Sequence, residues 1–115
     1  MSTIITAGRA AVSVTSGSAV DLLSTASTGI GFRKSVGWRL AVTTTQEINV
    51  KVYVRVGANC GFVEVTGYAS TVAPGGVLTI AESEYPLVGL RVTAQATGTT
   101  ATVNCDFIAT STFTN

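Results

Sequence analysis

The feature that most constrains this chain is a run of strict alternation, EINVKVYVRVG, beginning at Glu47. Ile48, Val50, Val52, Val54 and Val56 fall on one side, and Asn49, Lys51, Tyr53 and Arg55 on the other. In an extended chain successive side chains point to opposite faces, so a period of two predicts a strand with one buried and one solvated side. A helix would scatter the same valines around its circumference. The upstream run VGWRLAVTTT repeats the pattern, with Trp38, Leu40 and Val42 on one side and Gly37, Arg39, Ala41 and Thr43 on the other. The intervening TTTQE reads as a hairpin turn.

A second pair lies nearer the C-terminus, in LRVTAQATGTTATVNCDFIA. Leu90, Val92, Ala94 and Ala96 alternate with Arg91, Thr93, Gln95 and Thr97. Beyond a turn at Gly98, Val103, Cys105, Phe107 and Ala109 alternate with Thr102, Asn104, Asp106 and Ile108. A short glycine-containing loop between two such runs predicts a hairpin. Ile108 is the apolar residue on the polar side and is therefore a candidate contact residue. RAAVSVT, AVDLLS, FVEVTGYAS and VLTIAE add weaker strands, separated by the turn-like segments SGS, STASTGIG, GANCG and APGG.

Valine and threonine are frequent, and no apolar set recurs at helical spacing. The expectation is one all-β domain over 1–115, an antiparallel β-sandwich of jelly-roll or immunoglobulin-like type with about eight strands. The stretch 24–31, STASTGIG, reads as a surface loop or an exposed arm.

Composition then limits function. Of 115 residues only 11% are charged while 46% are hydrophobic, against roughly 25% charged in an average soluble domain. A small domain leaves roughly a third or more of its unfolded-chain surface exposed, so part of that surface is expected to be apolar and to meet protein. No apolar run approaches the roughly 20 residues of a membrane-spanning helix, and the first residues do not read as a secretory leader. Synthesis in a cytoplasm follows as the expectation, with Cys60 and Cys105 unpaired and a disulfide between them as the minority alternative.

The chain contains no histidine, the side chain most often used as a general base near neutral pH. Ser-His-Asp and Cys-His arrangements are thereby excluded, and a mixed Cys/His zinc site cannot be completed. Glu82 and Glu84 share one strand face and could imitate paired glycosidase carboxylates, but solvating a strand end is the plainer role. None of the acids sits in a calcium-loop pattern. TGIGFRKS lacks the P-loop spacing and is followed by strand, and no G-x-G-x-x-G occurs. No catalytic residue, cofactor, metal or small-molecule substrate is expected.

The segment GFRKSVGWRL, 31–40, holds Arg33, Lys34 and Arg39 beside Phe32 and Trp38. Duplex binders make more phosphate contacts and present a clearly basic surface, whereas the net charge here is only +1. Trp38 shares its side with Leu40 and Val42, so a core tryptophan is expected. The basic trio suits an acidic protein surface or the solvation of a strand entrance. Tyr53, Tyr68 and Tyr85 join Ile108 as candidate interface residues, because aromatic side chains are enriched at such contacts.

A threonine-, valine- and glycine-rich all-β chain with few charges, with MSTIITAGRAAVSV at its start and RVTAQATGTTATVNCDFIA near its end, resembles the accessory structural proteins of tailed bacteriophage particles. The likeness is to capsid decoration, or cement, proteins. It implies a non-enzymatic virion protein on the capsid surface that forms trimers or other cyclic oligomers and bridges capsomers of a major capsid protein, with no nucleic-acid or membrane partner. No functional residue is carried over, because no family motif is matched. The alternatives are a carbohydrate-binding sandwich of a tail fibre or attachment protein, with Trp38 and the tyrosines as a sugar platform, and a tail or neck component.

Overall fold

The computed structural model describes residues 2–24, 35–55, 59, 61–82 and 89–112. They form nine strands: β1 (Ser2–Val14), β2 (Val20–Ser24), β3 (Ser35–Thr44), β4 (Ile48–Arg55), β5 (Val63–Glu64), β6 (Ser70–Val72), β7 (Val77–Glu82), β8 (Gly89–Ala96) and β9 (Ala101–Thr112). Sheet A has the order β1-β9-β3-β7, and sheet B the order β2-β8-β4-β5, with β6 also paired to β4. All pairings are antiparallel.

The alternation places the side chains as expected. Trp38, Leu40 and Val42 from β3, Ile48, Val50, Val52 and Val54 from β4, Leu90 and Val92 from β8, and Val103, Cys105 and Phe107 from β9 fill the space between the sheets. Val56, expected to continue the β4 face, lies outside the described residues. FVEVTGYAS is not one strand: β5 ends at Glu64, a single 3-10 turn covers Thr66–Tyr68, and β6 begins at Ser70. Because β5 and β6 both pair with β4, nine strands occupy about eight positions.

Both expected hairpins are corrected. β3 belongs to sheet A and β4 to sheet B, and β8 and β9 are divided in the same way. TTTQE and the turn at Gly98 therefore carry the chain across the sandwich. The β1–β2 and β6–β7 links cross at the same end, and the four links are laced together by hydrogen bonds. Thr45 N–H donates to the Thr102 carbonyl at 3.1 Å, Thr97 N–H to that of Glu47 at 3.2 Å, Ala96 N–H to that of Thr15 at 3.0 Å and Gly75 N–H to that of Thr44 at 3.0 Å. Side chains add Thr102 N–H to Thr45 Oγ1 at 2.9 Å and Thr97 Oγ1 to Glu47 Oε1 at 2.8 Å. In the β6–β7 link Gly75 has φ +72°, and Gly76 N–H closes on the Ala73 carbonyl at 2.8 Å. Pro74 followed by a positive-φ glycine is the type II turn signature.

Each strand thus faces its chain neighbour across the core: β1 over β2, β3 over β4, β6 under β7 and β8 under β9. Two four-position sheets joined this way constitute a jelly roll, which decides between the two expected sandwich types. Ser24 ends β2 and is buried; the rest of the expected 24–31 loop or arm lies outside the described residues.

Candidate functional site: the outer face of sheet A

The inward residues of sheet A leave a second set pointing away from the core. Register fixes their arrangement. One row runs Thr6, Ile108, Arg39, Ala81 across β1, β9, β3 and β7, and the next runs Gly8, Asp106, Ala41, Thr79. Glycine and alanine at three of these eight positions, Gly8, Ala41 and Ala81, leave little side-chain bulk above the sheet. The result is a shallow groove of about 570 Å³ lined by Ala41, Ala81, Ile108, Thr79, Arg39 and Asp106 among others. Ile108 is 44% exposed and Val77, at the β7 border, 61%.

The β1 side of the face is tightly built. A Cβ on Gly8 would come within 2.7 Å of Asp106 Oδ1 and 2.9 Å of the Cys105 carbonyl, so only glycine lets β1 lie this close to β9. The pairing shifts between Arg9 and Val12, and Ala11 has φ +54°, held by its N–H donating to Asn104 Oδ1 at 2.8 Å. That bulge twists the free edge of β1, a common defence of an exposed strand.

Two charges stand on this face, Arg39 and Asp106. Among the described residues neither has an ion-pair partner; the single ion pair joins Arg91 to Asp21 on sheet B. Beneath Asp106 the Cys105 thiol is free and buried. Burial, reinforced by the Asp106 carboxylate, pushes its pKa up to about 12, so at neutral pH it is a protonated, unreactive core side chain. Cys60 lies outside the described residues.

The expected contact residues separate. Arg39 and Ile108 are adjacent partners on sheet A. Tyr53 is on the outer face of sheet B, where the Arg91 guanidinium lies 5.4 Å from its ring centroid. Tyr68 is half-buried at the side of the sandwich, its ring edge-on to Trp38 at 5.7 Å and its hydroxyl donating to the Glu82 carboxylate. Arg33, Lys34 and Tyr85 lie outside the described residues, as does Glu84. Trp38 is 2% exposed and packs against Phe107 as well as Tyr68. It offers no face to a sugar ring, so the platform reading loses its central residue. Its Nε1 has no hydrogen-bond partner among the described residues.

Sequence reasoning had not singled out Ala41, Ala81, Thr79 or Asp106 as site residues. The available signal was the outward set of β3, where glycine, arginine and alanine replace the threonines and lysines of an ordinary solvated face. Among the described residues no group of three Cys, Asp or Glu side chains is placed to hold a metal ion.

No family model matches the chain, and no curated protein matches it in sequence. Solved structures match in fold. One is PirA, with a TM-score of 0.56 at 11% identity, covering 94% of this chain and 92% of that one. Another is the infectious bursal disease virus VP2 subviral particle, with a TM-score of 0.50 at 11% identity, covering 95% of this chain. The match spans 32% of the VP2 chain. The fold is thus similar to part of a viral capsid protein, and at this identity the similarity is one of fold.

Proposed function

We propose that this chain is a non-enzymatic structural protein of a virus particle, of the capsid decoration kind, that self-associates and binds an assembled shell. The observation that carries this reading is the outer face of sheet A, an open apolar groove with Ile108 and Val77 exposed on a domain with very few charges to cover its surface. Jelly rolls are used for capsid and lectin domains, and the buried Trp38 favours the first use over sugar binding. A chain without histidine, with a deeply protonated core thiol, suits a passive role.

A decoration protein stabilises its particle by binding the assembled shell in preference to free subunits, which shifts assembly by mass action. Several weak contacts on one lattice add through effective concentration. Arg33 and Lys34 are the proposed contacts with an acidic surface of the major capsid protein, and Arg39 adds to that contact only in a copy whose sheet A face is not covered by a second copy. The test is to mix purified protein with purified undecorated capsids and sediment them. Co-pelleting that weakens in salt, and weakens further when all three are replaced by alanine, is expected. A protein that never pellets ends the shell-binding role, and unchanged occupancy of the triple variant removes the basic trio from it.

A further inference from the structure

We infer that the outer face of sheet A is a two-fold interface, on which a second copy of this chain seats the same face. This deepens the self-association part of the reading above by naming the surface and its symmetry, and it does not use the shell.

The inference rests on self-complementarity. In a two-fold contact one patch meets itself, so a residue on one side of the axis faces a different residue from the other side. Arg39 and Asp106 occupy diagonal positions on neighbouring strands, since Arg39 pairs with Ile108 and Asp106 with Ala41. A two-fold axis lying in the face and passing between them sets each Arg39 opposite the partner copy's Asp106, twice over. Close to that axis lie Ile108 and Ala41, which then meet their counterparts, and toward its two ends lie Thr6 and Thr79. The two charges, without an ion-pair partner among the described residues, become paired between two copies. The strands of the two copies cross steeply, as in orthogonal sheet packing.

The occupant is a copy and not a foreign partner because of the charge arrangement. A markedly basic or acidic surface would place a like charge against either Arg39 or Asp106. A second copy satisfies both, and a chain of net charge +1 is hardly repelled by itself. With strands about 4.8 Å apart, four of them over about 20 Å present roughly 400 Å² of flat area. Two such faces bury roughly 800 Å² in total, below the about 1,200–2,000 Å² of a standard specific interface, so the dimer is a weak one in dilute solution.

Sedimentation velocity and light scattering over a concentration series up to about 1 mM should show a monomer–dimer equilibrium. Arg39→Asp and Asp106→Arg, each folded by circular dichroism, should each weaken it by about tenfold or more, as like charges then face each other twice. An equimolar mixture of these two variants should dimerise again, because both cross-pairs become opposite in sign, and the double variant should regain a homodimer. A wild type that stays monomeric, a trimer, or a mixture that does not associate would overturn the inference. So would a dimer insensitive to both charges but lost on placing proline in the free edge of β1. Arg33→Ala/Lys34→Ala should leave dimerisation intact, and a protein that dimerises without pelleting with capsids retains this interface while ending the shell role.

Discussion

The two outer faces of the sandwich obey the same alternation and are dressed in opposite ways. On sheet B, Arg91 Nε donates to Asp21 Oδ1 at 2.8 Å, its guanidinium lies over Tyr53, and Thr71 Oγ1 donates to Asn49 Oδ1 at 2.7 Å. Lys51 and Asn49 stand in solvent beside them. On sheet A the corresponding positions are Gly8, Ala41, Ala81 and Ile108, with Arg39 and Asp106 lacking an ion-pair partner among the described residues. Period two determines which side chains leave the core; their chemistry determines whether the outside is finished against water or left open for protein. Sheet B is finished against water within one chain, and sheet A is the face that we propose completes itself against a copy.

The largest expected effect separates the two sides of a single strand. Phe107 is 3% exposed and packs on Trp38, so Phe107→Ala should lower the unfolding free energy by about 3–5 kcal/mol, the usual loss for an emptied aromatic site. Its neighbour Ile108 faces out, and Ile108→Ser should change monomer stability by about 0.5 kcal/mol or less while weakening self-association. Urea unfolding at low protein concentration reads the first quantity and sedimentation the second. A destabilisation of the monomer by Ile108→Ser comparable to that of Phe107→Ala would break the distinction between inner and outer surfaces.

Cys105 sharpens the comparison through pH. Its thiol titrates near 9.0 when unfolded and at about 12 when folded, so the folded state holds the proton longer. That contribution is whole below pH about 9 and is lost as pH rises toward 12, because the unfolded chain gains stability by ionising first. Stability measured between pH 8 and about 11 should therefore fall more steeply in the wild type than in Cys105→Ala, whatever the constant offset from the smaller side chain. Equal slopes would mean that the thiol is hydrated, and that sheet A is less well sealed beneath Asp106 than its packing indicates.

How much of this was legible follows from what alternation encodes. β3, β4, β8 and β9 were readable because Trp38, Leu40, Val50 and Phe107 each sit two residues from another apolar side chain, and Ile108 was readable because it breaks that order. The connections were not. A hairpin bends within a sheet and a crossing link bends out of it, yet both join two alternating strands through glycine and threonine. What selects the crossing is lateral pairing between distant links, Thr45 with Thr102 and Ala96 with Thr15, and no local pattern records it. FVEVTGYAS looked continuous for a related reason: the 3-10 turn at Thr66–Tyr68 places Tyr68 against Trp38, a contact 30 residues away in the chain. Ala41 and Ala81 mark no site singly, since alanine is only mildly disfavoured in strands. They form a groove only once register sets them beside each other.

The smallest effect tests the contrast between paired and unpaired charge. Arg91 and Asp21 are 41% and 44% exposed at their side chains, so their attraction is screened by water and salt and is worth about 0.2–1 kcal/mol; the stacking on Tyr53 adds about 0.5–1 kcal/mol. Arg91→Ala should therefore cost the monomer about 1 kcal/mol, with the ionic part fading as salt rises. Arg39→Ala removes a cation with no ion-pair partner among the described residues and should leave the monomer within about 0.5 kcal/mol of the wild type. Thermal unfolding of both variants at low and high salt measures the difference. If Arg39→Ala proved the costlier substitution in the monomer, Arg39 would be serving its own sheet, and the outer face of sheet A would be a finished surface like that of sheet B.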